Sequence, residues 1–189
     1  METLFAGVII WTMAHLIASV APGLRAELDA RMGLASRGLI ALFILTGLGL
    51  MVVGWQSAVP HSVYDPPFWG RHLNMALMFI SVMLVFAGRD HSRIRRYLRH
   101  PMLTGAVIWA VGHLLANGDS RSVVLFAGIG LWACVSIGTI SKREGAWVKP
   151  VKVAGIGREI LGVTVALIVY VALVWGHGYL TGVPLLPNG

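Results

Sequence analysis

Apolar residues run through this chain in long blocks, without the alternation that marks a water-facing helix or strand. Six blocks, at about 4–21, 39–55, 73–87, 102–116, 123–140 and 160–179, approach the roughly 20 apolar residues that carry a helix across a bilayer. Each predicts a membrane span. The third and fourth are short and are expected to extend by a turn into their polar flanks, 69–72 and 96–99. Pro22-Gly23 ends the first block. Glu2 and the absence of a basic leader mark that block as a retained span, not a cleaved signal. Between spans one and two, Leu24 to Leu34 has its own helical pattern with charges on one side, as in a helix lying along the inner interface. Residues 56–68 hold Pro60, Pro66, Pro67, His61, Tyr64 and Asp65; this composition predicts an ordered outer loop packed on the helices. No linker, low-complexity run or repeat divides the chain. The fold expected is a single all-α domain over residues 1–189, a polytopic membrane bundle of about six helices with both termini outside.

Composition sharpens this picture. The chain is 57% hydrophobic and 12% charged, with a mean hydropathy of +0.76, whereas a soluble domain has about a quarter of its residues charged. A disordered chain and an ordinary soluble globule are excluded. One cysteine, Cys134, excludes a disulfide framework and a cysteine-based zinc site; within span five it reads as a small buried apolar residue.

The net charge of +7 becomes a topology signal once the charges are placed. The connection after span one holds Arg25, Arg31 and Arg37; that after span three holds Arg89, Arg93, Arg95, Arg96 and Arg99; that after span five holds Lys142, Arg143, Lys149, Lys152 and Arg158. Only Arg71 and Arg121 of the 15 basic residues fall on the other side. Short loops rich in Lys and Arg stay in the cytoplasm, so the termini, residues 56–71 and the Asn117-Gly118-Asp119 turn face outward. The basic face is that of a protein lying against anionic lipid headgroups, and nucleic acid is not an expected partner.

Ionisable residues inside spans are costly and so point to function. Of seven histidines, His15 and His113 lie within apolar spans. His72 and His177 lie near the outer ends of spans three and six, His100 at the inner start of span four, and His61 and His91 in loops. Trp11 precedes His15 by four residues and Trp109 precedes His113 by four, which puts each pair on one helix face. Ala14 and Gly112 are small neighbours that would let a flat macrocycle approach an axial imidazole. A buried histidine can equally hydrogen-bond a hydroxyl or carbonyl across a helix interface, and both readings stand at this point. Counted along the helices, His15 lies deeper toward the cytoplasm than His113. Unless tilt closes that gap, His15 pairs better with His100, and His72 with His113.

Arg99-His100-Pro101 reads in two ways. Proline is favoured in the first turn of a helix, and the triplet could also form an anion or headgroup site at the positive end of span four. Asn117-Gly118 is good turn chemistry, and Asp119 is placed to cap span five. Met75, Met78, Met83 and the tryptophans read as packing or lipid-facing residues.

The string from Arg95-Arg96-Tyr97-Leu98-Arg99-His100-Pro101-Met102-Leu103-Thr104-Gly105 through Trp109 to His113-Leu114-Leu115-Ala116-Asn117-Gly118-Asp119 resembles the signature of the NnrU family. So do Tyr64-Asp65-Pro66-Pro67-Phe68-Trp69-Gly70-Arg71-His72 and His15 followed by a basic loop. The likeness covers about residues 5–145. It implies an integral membrane protein of the bacterial inner membrane, associated with nitrite and nitric oxide reduction in denitrification and homologous to the plastid 15-cis-zeta-carotene isomerase, a haem b enzyme. It implies haem b with His15 and His113 as axial ligands to iron. Arg71, His72, His100, Asn117 and Asp119 would bind the cofactor or shape access to it. The isomerase can also use a cysteine three residues before its second histidine. That place here is Ala110, so a His-to-Cys ligand exchange has no cysteine to use.

The expected function is a haem-binding membrane protein, either a redox-gated cis–trans isomerase of a polyene or a factor in nitrite and nitric oxide metabolism. Its partners would be membrane lipid, a lipophilic small molecule and a respiratory or nitric oxide reductase. Two alternatives stand beside it. The Arg-His-Pro-x-x-x-Gly string also resembles isoprenylcysteine and phospholipid methyltransferases that use S-adenosylmethionine, with Arg99, His100 and Glu144 at the cytoplasmic face, although only one of the expected downstream acidic pair is present. A non-enzymatic assembly protein is the other. No catalytic residue is assigned from the sequence.

Overall fold

The computed structural model describes residues 1–87 and 92–185; Arg89 and His91, assigned above to a loop, lie outside the described residues. The chain is all-helical there. In order come α1 (Glu2–Val20), α2 (Pro22–Met32), α3 (Leu34–Ser57), α4 (Gly70–Ala87), a 3-10 turn at Arg93–Arg96, α5 (Pro101–Ala116), α6 (Ser120–Glu144) and α7 (Ile156–Thr181). Four of these, α1, α3, α6 and α7, are long and apolar enough to cross a membrane; α4 and α5 are the shorter apolar pair. This is a multi-pass membrane protein.

The spans follow the sequence reading with one correction. α4 takes in Arg71 and His72 as expected, but α5 does not extend back through residues 96–99. It begins at Pro101 with His100 as N-cap at φ −123°, ψ 67°. Proline drives the residue before it out of the helical region, so the preceding basic run turns separately. Cys134 is also corrected: it is exposed, while its neighbour Ala133 is fully buried, because one residue rotates a helix by about 100°.

Each helix pairs with the next in the order α3–α1–α6–α5–α4–α7. The α1–α3 contact is made by glycine. A Cβ on Gly54 would lie 2.4 Å from the Leu4 nitrogen, and one on Gly7 would lie 2.6 Å from that of Met51. Small residues let membrane helices approach this closely. Between α4 and α5, Ser81 Oγ donates to Gly105 O at 2.8 Å, and Gly112 makes room for Asn74 and Met78. α7 packs on α4, where Tyr170 stacks edge-on against Phe79.

The basic ends of the helices gather at one end of the bundle. Arg143 Nη1 donates to Ala18 O (2.8 Å), Arg96 donates to Pro150 O and Val151 O, and Arg99 donates to Gly145 O (2.8 Å). At the opposite end the loop before α4 folds onto the turn before α6, as expected. Ser62 bridges Asp119, Val63 and Tyr64 donate their amides to Gly118 O, and the Tyr64 hydroxyl donates to Leu114 O and Asn117 O. Gly118 is required here for closeness: a Cβ would fall 1.9 Å from Tyr64 O. It is not among the positive-φ glycines.

Candidate functional site

The two mid-span histidines share a local geometry. His15 Nδ1 lies 2.9 Å from Trp11 O, and His113 Nδ1 lies 2.9 Å from Trp109 O. A carbonyl only accepts, so in both rings the proton sits on Nδ1 and the Nε2 lone pair is left over. Neither Nε2 has a hydrogen-bond partner among the described residues. The expected bond across a helix interface is therefore replaced by one within the helix, to the carbonyl one turn back. A carbonyl on the far nitrogen is the usual support for a metal-binding imidazole. The same tryptophans flank the rings, with centroids 3.8 Å apart for Trp11–His15 and 4.9 Å for Trp109–His113.

The two rings nevertheless keep different company. His15 faces Trp132 on α6 (5.3 Å). His113 stacks on Phe126 of the same helix (4.4 Å, 24° between planes). With α6 as ruler, Trp132 and Phe126 are about 9 Å apart along the axis. The two histidines sit on α1 and α5 respectively, both of which pack on α6.

His113 instead meets His177 on α7, with centroids 6.5 Å apart and planes 19° apart. His177 Nδ1 lies 2.7 Å from Val183 O and 3.1 Å from Thr181 Oγ1, so this ring too keeps its Nε2 lone pair. Around this pair stand Phe126, Trp109 and Trp55, the last in edge contact with Phe126. Trp55 Nε1 donates to Thr181 O at 3.3 Å, closing the outer end of the bundle between α3 and α7. The Arg121 guanidinium lies over the Trp55 ring at 4.5 Å, donates to Trp55 O at 3.4 Å and sits 3.6 Å from Asp119. Its Nε is buried without a hydrogen-bond partner.

Phe126 owes its place to a π-helical turn at Val123–Ala127. Such turns rotate the following residues and recur at functional sites.

The other site residues from sequence separate into two groups. Asn117 and Asp119 are occupied with backbone. Asn117 Nδ2 donates to His113 O (3.0 Å), and Asp119 accepts from the amides of Arg121 and Ser122 and from the Ser122 hydroxyl, capping α6 as predicted. Arg71 and His72 are exposed on the first turn of α4 and share no hydrogen bond with Asn117 or Asp119 among the described residues. His100 lies at the basic end of the bundle, its Nε2 2.9 Å from Ser141 Oγ. Burial first, then the Arg99 and Arg95 charges, pull its pKa below the ordinary value, opposed by Glu144. Arg99 Nη2 reaches Glu144 Oε2 at 3.3 Å, beside an open cleft of 320 Å³ lined by Arg95, Arg99, Glu144 and Trp147. The Arg-His-Pro motif thus clasps α6 and the loop after it.

Sequence reasoning did not foresee that Phe126 and His177 lie against the His113 ring, or that Arg121 lies over Trp55. The signal for His177 was its setting between Gly176 and Gly178. Arg121 stood out only as one of two basic residues on the outer side.

Among the described residues, no three His, Cys, Asp or Glu side chains meet in a metal-binding group. His113 keeps a free Nε2 lone pair, a tautomer fixed by Trp109 O and an aromatic surround.

Comparison with curated proteins and with solved structures gave no match. A family model described as NnrU protein matches residues 3–185, nearly the whole chain, and the chain belongs to that family.

Proposed function

We propose that this protein binds haem b inside the bacterial inner membrane, where His113 would hold the iron through its Nε2 near the outer end of the bundle. The observation that carries the reading is the His113 ring itself. Its proton is tied to Trp109 O, its Nε2 is unengaged, and Phe126 holds the ring in place. Bound haem would supply one-electron redox chemistry and an iron centre for a small gas or a polyene double bond.

The protein's own contribution is positional. Trp109 O fixes the tautomer and the ring direction. Phe126, Trp109 and Trp55 exclude water, which raises the weight of each remaining charge. Arg121 places a cation at the outer edge, where an anionic side arm would be neutralised. A lipophilic substrate would arrive through the bilayer, against the apolar outer surfaces of the helices; a respiratory or nitric oxide reductase would dock there as well. Redox-gated isomerisation and a role in nitrite or nitric oxide metabolism both belong to this reading.

One observation favours a second reading. Arg99 and Glu144 meet beside the inner cleft, as a methyltransferase that uses S-adenosylmethionine would require. Binding of the methyl donor to the purified protein, lost in Arg99→Ala, would support it. The haem reading is tested by haem content after purification in mild detergent. One haem b per chain is expected, and a colourless protein that takes up no added haemin contradicts it.

A further inference from the structure

We infer that the cleft at the basic end of the bundle binds the phosphodiester headgroup of an anionic glycerophospholipid. The inference is independent of the haem reading, and its failure leaves that reading where it stands.

The walls of the cleft come from two connections. Arg95 and Arg99 belong to the segment before α5. Glu144, Trp147, Val148 and Pro150 belong to the end of α6 and the segment after it, and together these residues border a volume of 320 Å³. Arginines tie the two segments to each other. Arg96 donates to Pro150 O and Val151 O. Arg99 Nη1 donates to Gly145 O at 2.8 Å, while Nη2 reaches Glu144 Oε2 at 3.3 Å. The Arg99 guanidinium is therefore set in the wall before any ligand arrives, and a preorganised donor loses little side-chain freedom on binding.

The lining carries two guanidinium groups against one carboxylate. That carboxylate is already engaged: Glu144 pairs with Arg99 and lies 4.0 Å from Arg143. The Lys149 ammonium lies 5.4 Å from the centre of the Trp147 ring, so a third cation stands at the rim. Among the described residues no other acidic side chain lines the cleft. A phosphodiester presents a single negative charge over paired oxygens, which suits the fork of an arginine. Basic pockets at the cytoplasmic ends of membrane helices hold headgroups of this kind. The methyl donor S-adenosylmethionine carries a sulfonium cation, which this excess of positive charge disfavours.

Place selects a lipid over a soluble anion. The cleft lies where α6 ends at Glu144 and α5 begins at Pro101, the level at which spans leave the hydrocarbon. Its rim is apolar where a water-facing site would be polar. Val148 is 85% exposed, Val151 just beyond it is 84% exposed, and Trp147 is exposed as well. Lys149 and Lys152 are interleaved with them. Tryptophan, exposed valine and lysine in one short segment suit the headgroup level of a bilayer, where a chain meets apolar and charged neighbours together.

The test uses the full chain, purified in mild detergent and freed of bound lipid, with native mass spectrometry counting the lipid retained per chain. The probes are dioleoylphosphatidylglycerol, dioleoylphosphatidylcholine, inorganic phosphate and S-adenosylmethionine. Phosphatidylglycerol is expected to bind about tenfold tighter than phosphatidylcholine, whose choline cancels the phosphate charge. Lys149→Gln and Arg95→Gln are each expected to weaken it about fivefold, the effect of one basic residue near an anionic headgroup. Arg37→Gln removes the same charge outside the lining and is expected to change nothing. Glu144→Gln removes the carboxylate and is expected to tighten binding, a gain that a misfolded variant cannot mimic. Equal binding of the two lipids overturns the site. So does a loss in Arg37→Gln equal to that in Lys149→Gln, which assigns the preference to the basic face as a whole. Displacement of the lipid by inorganic phosphate assigns the cleft to a soluble anion, and displacement by S-adenosylmethionine assigns it to the methyl donor; either result overturns the lipid as its occupant.

Discussion

A histidine within a lipid-facing helix has few partners, and in this chain the nearest one is its own backbone. His15, His113 and His177 each tie Nδ1 to a backbone carbonyl, which leaves three imidazoles of one tautomer. What separates them is their neighbours, and there Arg121 matters. Arg121→Gln removes the cation but keeps most of the volume. It is expected to weaken haemin binding about tenfold, or about 1.4 kcal/mol; a titration showing unchanged affinity would remove Arg121 from the site. Tyr64 acts on the loop side. Tyr64→Phe loses the hydroxyl bonds to Leu114 O and Asn117 O, costs about 1 kcal/mol and should speed amide exchange at Val63 and Tyr64. At the inner end, the pKa of His100 is lowered by burial and by Arg99, so the folded state favours the neutral ring. Its stabilising contribution is present above the ordinary value of about 6.5 and is lost as pH falls through the lowered value. The fall in melting temperature between pH 7.5 and 5 should therefore be smaller in His100→Gln than in wild type. An equal fall would show that this ring does not carry the acid sensitivity.

At the scale of the helix, glycine has two uses that sequence does not distinguish. Gly54 is a point of backbone contact, with a Cβ 2.4 Å from the Leu4 nitrogen, whereas Gly49 faces open space. Gly54→Ala must push α1 from α3 and is expected to cost about 1–3 kcal/mol. Gly49→Ala is expected to be neutral or to stabilise by up to about 1 kcal/mol, through helix propensity. Thermal melting in detergent ranks the two, and equal effects would contradict the close α1–α3 contact. The spans themselves were legible because a run of about 20 apolar residues has one solution in a bilayer. Their ends were less so. Pro101 starts α5 where the length needed to cross a bilayer would extend it into the polar flank, and the face taken by Cys134 depends on rotation, which a uniformly apolar helix does not encode. The Asp119 cap was legible from its position, but the role of Gly118 was not, since the space it frees is filled by a loop more than 50 residues earlier.

Across the whole molecule, charge placement anticipated which helix ends gather, and the structure brings Arg96, Arg99 and Arg143 together in contacts that tie α1, α6 and the 145–155 segment. The candidate site was only half legible. His113 and its tryptophan could be read from spacing. His177 could not be matched to it, because nothing in the sequence says that α7 lies across α4 from α5. Orientation is tested with Cys134→Ser as background, since that cysteine is exposed. A cysteine at His61 should react with an impermeant thiol reagent from the outside, and one at Lys149 only after the membrane is opened. The reverse pattern would invert the topology and place the His113 end in the cytoplasm.

The measurement that bears most directly on the central claim is a reduced-minus-oxidised absorbance spectrum of wild type and His113→Ala, purified from the same membranes. Sharp α and β bands in wild type, lost in His113→Ala, are the predicted result. Identical spectra for the two proteins, or a wild type with no Soret band after haemin is added, would contradict it.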